Sequence, residues 1–304
     1  MKASKYWSIL SLAVLGIYAA PQAFATPLLG SDLASFTVLG ASTVTNVPTS
    51  TISGNVGVWS DGGANAITGF NSSPGVAVSD PQVTSGQVHA GTALAQSAQG
   101  ELTTARTNLG LLGSGTLLAA DLVGLTLVPG VYTVPAGTTN LSGVLTLDGQ
   151  GNGNAAWIFQ MPSSLITSPN SVVKIINTGS GAGVYWNVGS SATIDVNTTF
   201  LGNVLALTSI TMNTSATDLC GRVLADTGAV TLDQNTLSGT CTGVLAGSSG
   251  LGGGLDVTTT ASGTTEVNFL PYAPVNGVPE PATLALLGIG LTGLGLRRRQ
   301  NPQK

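Results

Sequence analysis

Between Ser190 and Thr236 the chain states one phrase three times. Ser191-Ala192-Thr193-Ile194-Asp195, Ser209-Ile210-Thr211-Met212-Asn213 and Ala229-Val230-Thr231-Leu232-Asp233 align with their threonines in register, 18 and then 20 residues apart. Self-similarity at a period near 20 marks a solenoid, whose turns bury their inner sides against their neighbours. Helical repeats are longer units. The segments are rich in Thr, Val, Ile and Leu and are punctuated by Gly and Asn, which favours strands and tight corners. Three short strands and three corners fit the period, so the fold expected is mainly β, a parallel β-helix.

The same phrase occurs upstream as Leu145-Thr146-Leu147-Asp148 and more loosely as Leu165-Ile166-Thr167-Ser168. Alternation assigns Phe200, Gly202, Val204 and Ala206 to the interior, with Leu219, Gly221, Val223 and Ala225 on the next turn. Asp148, Asp195, Asn213 and Asp233 recur at a corner, where Asx side chains bond nearby backbone. A calcium ladder is the rival reading of those positions, but the glycine- and aspartate-rich nonapeptide it needs is missing, and no metal or cofactor is expected.

One segment departs from strand periodicity. From Thr84 to Leu109 the spacing predicts a helix with Leu94, Ala98, Leu102, Ala105 and Leu109 on one face, Thr84-x-x-Gln87 as its capping box, and Gly110 or Gly113 as its stop. Its narrow apolar stripe suggests packing along the outside of the coil.

The ends belong to export. Lys2 and Lys5 precede an apolar run from Ile9 to Ala20, and Ala23-Phe24-Ala25 supplies a small-x-small cleavage pattern, so residues 1–25 read as a signal peptide and Thr26 as the mature start. At the other end, Pro279-Glu280-Pro281, the apolar run Ala282 to Leu296 and Arg297, Arg298 and Arg299 resemble the PEP-CTERM sorting tail of Gram-negative bacteria. That resemblance implies that residues 278–304 pass transiently into the inner membrane as a transmembrane helix, with the arginines held in the cytoplasm. It also implies that an exosortase releases the protein to the cell surface or beyond; a permanent anchor is the alternative. The Gly-, Ser- and Thr-rich stretch from Thr242 to Gly277 reads as spacer.

Between Thr26 and Gly277 only Arg106, Lys174 and Arg222 are basic, against twelve Asp and Glu, a net charge of minus nine. Nucleic acid is thereby an improbable partner. Charged residues make up 7% of the whole chain, against about 25% in ordinary soluble domains. The surface is therefore built from Thr, Ser, Asn, Gly and small apolar groups. Cys220 and Cys241 lie 21 residues apart, close to one period; oxidising conditions permit a disulfide between neighbouring coils, with free buried thiols as the alternative.

Catalysis has little to stand on. The single histidine, His89, falls in the predicted helix without a sequence-adjacent partner, and the recurrence of Asp195 and Asp233 is explained by structural periodicity. No P-loop, zinc spacing or nucleophile elbow occurs, so an enzyme is not expected. A flat parallel sheet facing water offers something else. Neighbouring coils lie about 4.7 to 4.9 Å apart and alternate outward residues about 6.6 Å apart. Threonine presents a stiff methyl and hydroxyl on that grid, near the oxygen repeat of ice.

The blocks LGSDLASFTVLGASTVTN, GNVGV with ITGF, GLTLVPGVY, LTLDGQGNGNAAWIFQ, VYWNVGSSATI and FLGNVLALTSITMNT, in this order, resemble the ice-binding protein family once known as domain of unknown function 3494. The likeness runs from Leu29 to Cys241 and places the ice-binding domain at residues 26–241. It implies a right-handed, discontinuous β-helix with a long α-helix alongside and ice bound by a flat face. The family's Thr, Ala or Gly, any residue, Thr or Asn pattern corresponds to Thr214-Ser215-Ala216-Thr217, where Ser215 and the following Asp218 depart from it. Thr198 and Thr199, Asn235 and Thr236 are the matching positions on adjacent coils, and Thr193, Thr211 and Thr231 form a second ladder.

The function expected is that of a secreted antifreeze protein which adsorbs to ice and slows its growth or recrystallisation, processed by signal peptidase and exosortase. A structural or adhesive protein of the exopolysaccharide matrix is the alternative, and a carbohydrate-active β-helix enzyme a third. Exposed Trp59, Tyr132, Trp157, Tyr185 or Trp186 would favour sugar binding.

Overall fold

Short strands alternate with polar corners because each coil places its β-branched and aliphatic residues on flat runs and its Asn, Ser and Gly where the backbone must reverse. The computed structural model describes residues 25–60, 65–260 and 262–275; all but the last residue of the stretch expected as a signal peptide, and the sorting motif with its apolar run and arginines, lie outside them. Parallel strands stack into a solenoid of triangular section, whose faces are named A, B and C here.

Face A carries, in spatial order, Thr116–Leu117, Gly130–Thr133, Ala156–Met161, Gly183–Val188, the second halves of Thr199–Ala206 and Thr217–Ala225, then Phe36–Gly40, Asn55–Val58 and Val88–Ala90. Phe36–Gly40 thus pairs with Thr217–Ala225, nearly two hundred residues away in sequence. The β-helix is therefore discontinuous: the amino-terminal coils continue the stack made by the carboxyl-terminal ones. At the far end Ala77–Val78 pairs antiparallel with Val88–Ala90 and closes the edge.

The interior is apolar and aromatic. Tyr132, Phe159, Trp186 and Phe200 stack in consecutive coils, with ring centroids 5.9, 4.0 and 5.0 Å apart. Each indole finds a carbonyl, Trp157 Nε1 donating to Leu127 O at 3.0 Å and Trp186 Nε1 to Leu201 O at 3.2 Å. Tyr132, Trp157, Tyr185 and Trp186 are buried and Trp59 packs in part against the helix-side cluster, so none of the five aromatics forms a sugar-stacking platform.

The helix, α1, runs over Ala93–Leu111, later than the expected start at Thr84. Val83–Thr84 and Val88–Ala90 are strands instead, because Val83, Val88 and Ala90 fill interior positions. Thr92 is the cap, its hydroxyl accepting from Ala95 N at 3.2 Å, and Gly113 turns the chain at φ 74° beyond the last turn. His89 consequently sits on a strand. Ala95, Ala98, Leu102, Ala105 and Leu109 pack on the outward residues of face A, Leu39, Ile158, Tyr185, Leu205 and Leu224. Polar groups fix the helix along its length: Gln99 Nε2 donates to Ala225 O and Asp226 O at 3.1 and 2.7 Å, Arg106 pairs with Asp226 at 2.8 Å, and Leu33 N donates to Glu101 Oε2 at 2.7 Å.

The stretch expected as spacer is ordered. Leu245, Leu251 and Leu255 are buried, and Leu255–Thr259 and Thr265–Phe269 form an antiparallel sheet with Thr26–Pro27. Its glycines permit close packing: a Cβ on Gly253 would stand 2.3 Å from Gly181 O. The guanidinium of Arg222, 1% exposed, buttons this segment down, donating to Ser249 O at 3.1 Å, Asn203 Oδ1 at 2.9 Å and Ala34 O at 2.7 Å.

Candidate functional site

Because α1 covers face A, an adsorbing surface has two faces to use. Face C is a six-stranded parallel sheet of Leu165–Ile166, Ala192–Ile194, Ile210–Met212, Val230–Asp233, Thr43–Val47 and Ala66–Thr68. Leu165, Ala192, Ile210, Val230, Val44 and Ile67 point inward and are buried. The outward neighbours form one row: Ile166, Thr193, Thr211, Thr231, Thr45 and Thr68, paired strand to strand without a register shift. Five strand spacings make that row about 24 Å long.

Face B carries a second row, Val144, Val172, Thr199, Thr217, Thr236 and Thr51 in successive coils. It is less regular. The pairing slips between Phe200/Asp218 and Gly202/Gly221, since Thr217–Ala225 carries one extra residue there. Asp218 takes the inward place, and Leu219, expected inside, is 50% exposed. Cys220 and Cys241 are joined as a disulfide beside this bulge.

The corner between faces C and B is a stack in its own right. Asn170, Asn197, Ser215 and Gln234 hold left-handed conformations at φ 54–62°, and Asn170 N, Asn197 N, Ser215 N and Gln234 N each donate to the next coil at 2.9 to 3.2 Å. Behind them a buried polar file supports the turn. Thr198 hydroxyl lies 3.2 Å from Thr167 hydroxyl, while Asn235 Nδ2 donates to Asn213 O and Ala216 O at 2.9 and 3.0 Å and its Oδ1 accepts from Asp233 N at 2.7 Å. The two threonine rows are thereby fixed relative to each other.

Sorting the expected contact residues by place, Thr193, Thr211 and Thr231 share face C, and Thr199, Thr217 and Thr236 share face B. Thr214 stands at the corner and donates to Asp233. Thr198 and Asn235 are 0% and 1% exposed. They are corrected from contact residues to corner fillers, because the chain turns through a left-handed residue just before each and swings its side chain inward. Sequence reasoning missed Thr45, Thr51 and Thr68. The phrase was present in Val44-Thr45-Asn46 and Ile67-Thr68-Gly69, but only the discontinuous topology brings those coils beside Thr231 and Thr236.

Several threonines off the rows bond the protein, Thr37 to Ser53 O at 2.6 Å, Thr178 to Asn152 O at 2.6 Å and Thr227 to Leu207 O at 2.6 Å, while others, Thr126, Thr146 and Thr208 among them, are as free as those of the rows. Among the described residues, Thr45, Thr51, Thr68, Thr193, Thr199, Thr211, Thr217, Thr231 and Thr236 make no side-chain hydrogen bond within the protein, and all are at least partly exposed. Charge stays at the margins. Asp195, Asn213 and Asp233 line the corner side of face C, with Asn213 Nδ2 donating to Asp195 Oδ1 at 2.8 Å, and Lys174 stands on face B.

Other titratable groups serve the interior. Burial pushes the Asp218 carboxyl up to about 8 and the Arg222 guanidinium down to about 10. His89 is 5% exposed, with Nδ1 3.2 Å from Thr92 hydroxyl and Phe36 against its ring edge; burial lowers its pKa. Among the described residues no group of three His, Cys, Asp or Glu is placed to hold a metal.

Comparison with known proteins supplies the family. The ice-binding-like profile matches residues 38–238, and the PEP-CTERM protein-sorting motif matches residues 277–299. An ice-binding protein of Nostoc sp. (strain HG1) is 38% identical over 78% of this chain and 83% of its own length. The crystal structure of an ice-binding protein from an Antarctic biological consortium superposes with a TM-score of 0.58 at 31% identity, covering 74% of this chain and 96% of that one. The corresponding domain of ice-binding protein 1 from Shewanella frigidimarina superposes at 0.60 and 27% identity, covering 71% and 98%.

Proposed function

Because this chain belongs to the ice-binding-like family, we propose that it adsorbs to ice through the threonine rows of faces B and C and inhibits crystal growth or recrystallisation. The observation that carries this reading is the set of nine row hydroxyls with no partner in the protein. Each is free to bond water, and together they repeat on the strand spacing of about 4.8 Å with methyls between them. Water so ordered merges with a crystal surface over an area, so adsorption needs no single strong contact. Scarce surface charge leaves few competing hydration shells on that grid.

Thr199, Thr217, Thr236 and Thr51 form the face B portion, with Thr214 at its edge; Thr193, Thr211, Thr231, Thr45 and Thr68 form the face C portion. The reading is of a binding surface without catalysis. Export by a signal peptide ahead of Thr26, exosortase recognition of Pro279-Glu280-Pro281 and release outside the cell would place that surface where ice forms. No helix among the described residues is long and apolar enough to cross a membrane; the apolar run of the tail lies beyond them.

The test uses residues 26–277 and the variants Thr217→Tyr and Thr211→Tyr, each adding a bulky ring to one row. The wild type should show thermal hysteresis and keep ice grains small at micromolar concentration, with a loss in at least one variant. Ordinary grain growth with folded wild-type protein would sink the reading in favour of a matrix role.

A further inference from the structure

The carboxyl-terminal segment does not hang free before the sorting motif. Val275 N donates to Gly151 O at 3.1 Å, Ala273 N to Asn152 Oδ1 at 3.0 Å and Asn154 Nδ2 to Pro271 O at 2.9 Å. The chain is therefore tied to the coil as far as Val275, and the apolar run begins at Ala282, seven residues on. Seven residues reach at most about 25 Å. With the tail inserted, this corner of the domain is confined close to the bilayer.

Large apolar side chains stand open at that exit. Tyr272, Val275 and Ile176 are 64%, 41% and 42% exposed. Tyr272 and Val275 lie over a glycine floor, where a Cβ on Gly151 would stand 3.4 Å from Tyr272 Oη and one on Gly179 3.3 Å from Val275 Cγ1. Lys174 projects from the same strand and side as Ile176. It is the one exposed basic residue between Thr26 and Val275, since Arg106 is paired with Asp226 and Arg222 is buried. Lys174 interrupts the row begun by Thr126 and Thr146, so an ice-facing array gives no reason for it. The nearby anion, Asp148, is engaged by Gln150 N and Asn177 Nδ2.

We propose that Lys174, Ile176, Tyr272 and Val275 form a bilayer-docking patch, on which the folded domain rests against phospholipid until the sorting tail is cut. Lysine meets headgroup phosphate, the tyrosine sits at the interface, and the aliphatic side chains enter the headgroup boundary. Lys174 and Ile176 share face B with Thr199, Thr217 and Thr236, which lie one, two and three coils beyond Val172, so docking and adsorption to ice through this face are successive uses of it, before and after release. The patch is weak alone and effective only while the tether holds it near the membrane; cutting the tail abolishes the attachment. The inference rests on the tail being a membrane-inserting sorting signal.

The test is made on the full mature chain, Thr26 to Lys304, carrying Tyr272→Trp, in vesicles of phosphatidylethanolamine and phosphatidylglycerol with brominated acyl chains. The added tryptophan emission should be quenched, and adding Lys174→Glu with Ile176→Glu should remove the quenching while the protein still floats with the vesicles. An unquenched Tyr272→Trp chain that floats overturns the docking patch and leaves the sorting reading standing. Failure to float overturns both. A blue shift of the Tyr272→Trp emission without quenching, seen only when an exosortase shares the vesicle, would assign the patch to a protein partner and refute the lipid proposal.

Discussion

Raising the pH from about 6.5 to 8 should destabilise this protein, and Asp218→Asn should remove the effect. Asp218 is 1% exposed inside the coil; its Oδ1 accepts from Cys220 N at 3.3 Å and its Oδ2 has no partner. Burial raises its pKa from 3.8 to about 8, the hydrogen bonds and Arg222 offsetting only part of the shift. Below pH 3.8 both native and unfolded chains hold the proton. Between about 4 and 8 only the native chain holds it, so stability falls as pH rises. Each unit is worth up to ~1.4 kcal/mol, so the span from 6.5 to 8 costs about 1–2 kcal/mol. His89 works in the opposite direction, its lowered pKa removing stability as pH falls through and below 6.5, which is why the window starts there. Urea unfolding at fixed pH, with the disulfide intact, measures the slope. A wild-type stability that is flat or rising across the window, or an Asp218→Asn protein that keeps the slope, would refute the buried neutral acid.

Other outcomes follow from the corner and the clamps. Asn235→Ala strips three hydrogen bonds from a buried turn and should cost roughly 3 kcal/mol in urea, while Thr198→Val should lower stability without touching recrystallisation inhibition measured well below the melting temperature. Arg222→Met leaves Ala34 O and Ser249 O without the guanidinium, and hydrogen exchange over residues 28–35 should accelerate well before global unfolding. Reduction of Cys220–Cys241 opens a loop of 21 residues and should lower stability by roughly 3 kcal/mol by chain entropy, read as a shift in urea midpoint.

The repeat was legible because the side-chain pattern of a solenoid is local: Thr193, Thr211 and Thr231 are neighbours in space for the same reason that they are equivalent in sequence. The helix stripe was legible too, from Ala98 to Leu109, but its start was not. Thr84-x-x-Gln87 has the composition of a capping box, and only pairing of Thr84 with Ser53 shows that the chain is still in the coil there. The discontinuity came only through the family resemblance, since nothing in the local pattern of Phe36–Gly40 announces a partner at Thr217–Ala225. The interior fate of Thr198 and Asn235 depended on a left-handed φ at Asn197 and Gln234, which neither residue type dictates. The glycines from Gly243 to Gly254 looked like slack because close backbone packing and flexibility draw on the same residue.

The most direct test of the account is partition of the labelled protein between liquid and slowly growing polycrystalline ice. Residues 26–277 should be enriched in the solid, and a variant with Thr211→Tyr and Thr217→Tyr together should be excluded at unchanged thermal stability. Exclusion of the wild type, or equal enrichment of the double variant, would contradict the claim that the unpaired hydroxyl rows hold the crystal.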